Sequence, residues 1–374
     1  MSRHVSELET LIATQTNSAH VPLASSIQEN IPVYDCARLA SHLDGELRQN
    51  LMKELAQVLL TGAGVFVLKS GYQDTSIIDE ATDAFNQIIA REKQGSGGGG
   101  DHFAKAGSND RIWNSLEKLC REAPELYVRY HANRWLELAA ESWLGPAFQM
   151  TAQVNLVHPG GAAQEGHCDY HLGFMTAEQV ASYPAHIHAT SAQLTLQGAI
   201  AHGQVPIESG PTKLLPHSQK WPHNYALFRE NEVRALFEAN FVQLPLDKGD
   251  LVFFSPGLLH GAGDNRTQDI HRLVNLVQIS SAFGRAMETI DRTAMCKTVF
   301  PFLKSGTLSA GEIHAVIAST AEGYSFPTNL DNDPPIGGLA PQSQQALMHQ
   351  ALREDWDQAA LEKALDERDA KRRA

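Results

Sequence analysis

Apolar residues recur at helical spacing from His42 to Leu60, in HLDGELRQNLMKELAQVLL. That spacing predicts a helix with one buried face. Gly62-Ala63-Gly64 follows as a stop signal, and Val65-Phe66-Val67-Leu68 predicts a short strand. Further helices are expected over about 75–93, 110–121 and 124–143, the last closed by Leu144-Gly145-Pro146. After residue 147 the pattern changes to short β-rich runs between Gly/Pro turns. These runs are FQMTAQVNLV (148–157), HIHATSAQLTLQGAIA (186–201), FVQLPL (241–246), DLVFF (250–254) and RLVNLVQISSAF (272–283). Such a series points to a β sandwich or barrel. From about Leu308 the spacing is helical again, ending in amphipathic terminal helices. The expected organisation is one domain. A helical N-terminal portion spans 1–146, a β core 147–285 and a helical C-terminal extension 286–374.

The glycine-rich run Gly95-Ser96-Gly97-Gly98-Gly99-Gly100-Asp101 lacks the Gly-Lys-Ser/Thr ending of a phosphate loop. It reads as a connector or lid hinge. The chain has 374 residues, 43% hydrophobic and 20% charged, with a formal charge of −13. This acidic balance argues against a nucleic-acid footprint and against polybasic attachment to anionic lipid. Cys36, Cys120, Cys168 and Cys296 form no C-x-x-C pair, so neither a zinc ribbon nor a disulfide framework is indicated. With no apolar signal core and no membrane-length run, the expected location is cytoplasmic, with no membrane partner.

His167-Cys168-Asp169-Tyr170-His171 carries the candidate chemistry. If this segment is a strand, His167 and Asp169 share one face because side chains alternate with period two. His260, expected at the end of the hairpin that starts at Gly249-Asp250, would add a second imidazole. Two imidazoles and one carboxylate on one side of a metal leave the other positions open, as an iron(II) oxygenase requires. An arginine soon afterwards, Arg272, suits a planar contact with the far carboxylate of a keto acid.

Three stretches together resemble the phytanoyl-CoA dioxygenase family. They are His167–Phe174 (HCDYHLGF), Glu208–Lys220 (ESGPTKLLPHSQK) and Lys248–Asn265 (KGDLVFFSPGLLHGAGDN). The resemblance covers roughly residues 60–285. It implies a double-stranded β-helix (a jelly roll, cupin-like), with N-terminal and C-terminal helices packed around a mainly β core. It also implies Fe(II), 2-oxoglutarate as co-substrate, O2, and a small-molecule substrate that is hydroxylated with release of succinate and CO2. The family's metal ligands fall on His167, Asp169 and His260. Its keto-acid arginine falls on Arg272, with His271 the competing position. Asp169 fills the place that halide takes in related halogenases, which favours hydroxylation. At the family's Pro-Gly-Ser-His turn this chain has Pro216-His217-Ser218-Gln219.

Gln153 and Asn155 share a strand face and are candidates to hydrogen-bond the keto acid. His171 reads as a residue near the metal or substrate rather than a ligand. His186 and His188 read as strand positions, and Cys168 should face away from the metal. Lys105 and Arg111 read as solvated charges. With no Lys/Arg cluster visible near the core, the sequence leans towards a small or uncharged substrate. The alternative is a non-redox cupin-like metalloenzyme, an isomerase or hydrolase, which would have no need of Arg272.

Overall fold

The computed structural model describes residues 3–94 and 107–373. The glycine-rich run at 95–101 and Lys105 lie outside the described residues. Among the described residues ten strands are present, in chain order: β1 (Ser26–Gln28), β2 (Ile31–Asp35), β3 (Val65–Lys69), β4 (Asn109–Ile112), β5 (Gln149–Val157), β6 (Thr195–Ala201), β7 (Lys213–Leu214), β8 (Leu251–Phe254), β9 (His260–Gly261) and β10 (Arg272–Ser280). Eight of them form one mixed sheet in the order β1-β2-β3-β8-β6-β10-β5-β4, and β7 and β9 form a two-stranded ribbon. Among the described residues only the β2–β3 pair is parallel. The sheet draws four of its eight strands from before residue 147.

One face of the sheet carries Phe66, Leu68, Met150, Leu251 and Phe253, packed in a large core with the helices. The helix Ser76–Gln94 shows why it folds there. Its Ile78, Ala81, Phe85, Ile88 and Ile89 make one buried stripe at intervals of three and four. The opposite face carries Val65, Val67, Ala199, Val252 and Phe254, which cluster with Leu214 of the ribbon and with Leu244, Leu246 and Leu258. The metal-binding candidates lie on this second side, between sheet and ribbon.

Several elements differ from the sequence expectation. His167 makes only an isolated bridge to His260, and His171–Phe174 is a 3-10 turn. Tyr170 and His171 have φ of 64° and 35°, which end any strand after Asp169. Residues Ala185–Gln193 are helical, so His186 and His188 are helix positions, and the strand begins only at Thr195. The run 241–246 contributes single bridges, Val242 to Leu214 and Leu246 to Val205, rather than a ladder. The helix expected over 110–121 is β4 followed by a helix Ser115–Glu122, with Asn114 at φ 54° making the turn. No helix among the described residues is long and apolar enough to cross a membrane.

Candidate metal centre and its cavity

The chain places two of the three candidate ligands opposite each other by pairing backbone with backbone. His167 N donates to His260 O at 2.8 Å, and His260 N donates to His167 O at 3.0 Å. Asp169 follows in the irregular segment, tied down by its amide to Pro256 O (3.1 Å) and by Tyr225 Oη, which donates to Asp169 O (3.1 Å). The turn beyond it needs Gly173, because a side chain there would run into the Cys168 carbonyl. Cys168 itself is buried against Gly257 O, away from the ligand atoms.

The ligand atoms of His167, Asp169 and His260 all lie within 4.8 Å of one another. His167 Nε2 is 3.6 Å from Asp169 Oδ1, and His260 Nε2 is 3.4 Å from Asp169 Oδ2. Each imidazole turns its Nδ1 to a backbone carbonyl at 2.8 Å, His167 to Glu165 O and His260 to Leu258 O. A carbonyl only accepts, so in the neutral ring the proton sits on Nδ1 and the Nε2 lone pair faces the cluster. Burial holds the His167 imidazole below its ordinary pKa, which favours that neutral form. Burial pushes the Asp169 carboxyl upwards, while the charge that His167 and His260 carry when protonated, with the Gln197 amide, outweighs it and holds the group well below the carboxylate range; with the imidazoles neutral, the carboxylate is left to a cation. Three electron-rich atoms thus converge with no proton to separate them, an arrangement that a cation stabilises. The donor set fits iron(II).

Gln197 was not singled out from the sequence. It lies on β6, and its Nε2 donates to Asp169 Oδ2 at 2.6 Å, fixing the carboxylate's orientation. Period-two alternation from Thr195 would have turned it inward. The strand was misplaced, so the signal was lost.

A cavity of about 520 Å³ opens onto the triad and is lined by Arg272, Gln153, Asn155, Gln197 and Gln278, among others. Arg272 starts β10, is 5% exposed, and donates through Nη1 to Ser209 O at 2.8 Å. Among the described residues no carboxylate lies within ion-pair distance of it, and burial pulls its pKa down to about 10. His271 points elsewhere, its Nδ1 2.8 Å from His158 Nδ1 at the surface. Gln153 accepts from Arg111 Nη1 at 3.0 Å, and Asn155 Oδ1 is buried without a partner among the described residues. Arg111 is itself buried on β4 and lines the cavity, rather than standing in solvent. His171 does not line the cavity; its Nδ1 is 3.0 Å from Ser191 Oγ.

The phytanoyl-CoA dioxygenase (PhyH) family model matches residues 59–273. The chain belongs to this family. A curated relative, "Dioxygenase trt7" of Aspergillus terreus, is 24% identical over 161 residues, which is 43% of this chain and 46% of that protein. The match therefore spans about half the length of that relative. Among solved structures, the non-heme alpha ketoglutarate dependent epimerase SnoN from nogalamycin biosynthesis superposes with a TM-score of 0.46 at 16% identity, covering 63% of this chain and 82% of SnoN. AviO1 from Streptomyces viridochromogenes Tue57 gives 0.45 at 18% identity, covering 63% of this chain and 97% of AviO1. Within the family match lie His167, Asp169, His260 and Arg272, and also Gln197 and Arg111.

Proposed function

We propose that this family member is a non-haem Fe(II)/2-oxoglutarate-dependent dioxygenase that hydroxylates an unactivated C–H bond of a small molecule, releasing succinate and CO2. The observation that carries the reading is the buried Arg272, which has no carboxylate partner among the described residues, in the same cavity as three converging ligand atoms. An unpaired buried charge is costly to keep, so an anionic partner belongs beside it. A non-redox metalloenzyme would need the triad but not this guanidinium.

His167, Asp169 and His260 would hold iron(II), and Gln197 fixes the orientation of the Asp169 carboxylate. Iron(II) with 2-oxoglutarate and O2 supplies the oxidising power for the C–H bond. Arg272 pairs with the distal carboxylate of 2-oxoglutarate, a contact strengthened by its desolvated setting. Asn155 and Gln153 offer amide groups to the same co-substrate from the neighbouring strand. Val252, Phe254 and Leu276 give the cavity an apolar wall. We read the eight-stranded sheet and the β7–β9 ribbon as the two layers of a double-stranded β-helix, supported by the apolar cluster they share. The protein is read as cytoplasmic, with a small molecule as its partner.

The test is succinate release from 2-oxoglutarate, followed together with oxygen consumption over a substrate panel. Coupled release above the substrate-free background is expected with iron(II). Turnover supported by zinc without oxygen uptake would refute the proposal.

A further inference from the structure

The sequence shows no basic cluster near the core, but the fold assembles one. Four arginines line the cavity, Arg111, Arg229, Arg234 and Arg272, against two carboxylates, Glu165 and Asp169. This occurs in a chain whose net charge is −13. Asp169 belongs to the metal, Arg272 to the co-substrate and Arg111 to Gln153, to which its Nη1 donates, which leaves Arg229 and Arg234 without an assigned task. Arg229 donates through Nη2 to Gly173 O at 2.8 Å and lies over the Phe228 ring at 4.1 Å. These contacts aim the guanidinium but do not neutralise it. Arg234 meets Glu165 at 3.0 Å, yet the Glu165 side chain is 72% exposed, and exposed pairs are weak. Arg234 Nε is buried without a hydrogen-bond partner among the described residues. Burial and the nearby Arg234 charge both disfavour the charged form of Arg229, so an anion shared by the two would relieve both. Beside them the cavity presents Phe174, Phe228 and Met287, apolar surface for a carbon skeleton.

We infer that the substrate is an apolar small molecule bearing a free carboxylate, held by Arg229 and Arg234 so that its carbon skeleton reaches towards the metal centre. This inference rests on the oxygenase reading above and names the substrate class for that site. A planar guanidinium matches a planar carboxylate, and the corresponding amide offers no negative charge.

The test uses acid and amide pairs of graded size: 3-phenylpropionate, 4-biphenylcarboxylate and 1-pyrenebutyrate, each against its primary amide. Binding is measured by calorimetry on the full chain loaded with Mn(II) and 2-oxoglutarate, which makes the readout independent of turnover. At least one acid should bind tenfold or more tighter than its amide. The preference should collapse in Arg229→Gln/Arg234→Gln and return in part in Arg229→Lys/Arg234→Lys. The Mn(II)-dependent affinity for 2-oxoglutarate should be unchanged in both variants, which also shows that they are folded. If no pair separates by charge, or the preference survives in the Gln variant, the inference is overturned and the oxygenase reading stands. Loss of Mn(II)-dependent 2-oxoglutarate binding in the wild type would instead overturn the oxygenase reading.

Discussion

Replacing Arg272 with Met separates what its guanidinium does for the fold from what it does for the co-substrate. The methionine keeps an apolar stem of similar length, and the change removes one hydrogen bond, Nη1 to Ser209 O. It also removes a buried charge with no carboxylate beside it. The ligand-free variant should therefore melt no lower than the wild type, because the lost bond is offset by the desolvation that no longer has to be met. Co-substrate binding should behave oppositely. Truncating one partner of a buried charge pair costs about 2–5 kcal/mol, roughly thirtyfold to a few thousandfold in Kd. In the wild type with Mn(II), 2-oxoglutarate at about a hundred times its Kd adds about 2.7 kcal/mol of stability. At roughly 2 °C per kcal/mol for a chain of this size, Tm rises by about 5 °C. At the same concentration the variant gains under about 1 kcal/mol, a rise below about 2 °C. Differential scanning fluorimetry with and without 2-oxoglutarate reads both effects. An unchanged 2-oxoglutarate shift in the variant would refute Arg272 as the carboxylate anchor, and a large drop in the ligand-free Tm would show that the guanidinium is a structural element.

Gln197→Leu removes the amide that holds Asp169 Oδ2 while leaving the three ligands in place. Metal affinity should fall by about 10–100-fold, measured by competition with a chelating dye; an unchanged affinity would show that the carboxylate needs no such support. Burial raises the Glu288 carboxyl to about 7. The folded state then binds more protons than the unfolded state between the ordinary glutamate value and about 7, so this group's contribution to stability falls as pH rises through that window. Glu288→Gln should abolish that part of the pH dependence, so its Tm advantage over the wild type should widen from about pH 5 to pH 7.5. Parallel Tm–pH curves for the two proteins would contradict the assignment.

The candidate ligands were legible because their spacing and context are local: His167 with Asp169, His260 shortly after β8, Arg272 opening β10. The hairpin expected at His260 does not form, since β8 pairs with β3 and β6 and His260 lies on the separate β7–β9 ribbon. Their surroundings were not. The backbone reverses at Tyr170 and His171, two non-glycine residues with positive φ, for which a single sequence carries no strong signal. The run HIHATSAQ alternates polar and apolar residues as a strand would, yet it closes its hydrogen bonds as a helix after Pro184. That error displaced β6 and concealed Gln197. Arg111 looked like a surface charge because its strand is only four residues long, and its burial comes from pairing with β5. Arg229 lies in the turn after the short helix Asn224–Leu227 and Arg234 in the helix Asn231–Asn240, and the packing of this segment against the Gly173 turn brings them to the cavity.

The central claim is that His167, Asp169 and His260 gather one iron(II) while Arg272 anchors 2-oxoglutarate beside it. Anaerobic titration of the protein with iron(II) and then 2-oxoglutarate tests it most directly, read as a weak visible charge-transfer band. The band is expected only when both are present, saturating at one iron per chain, and is expected to be largely lost in Asp169→Ala. A band of full intensity in Asp169→Ala, or no band in the wild-type protein with both added, would contradict it.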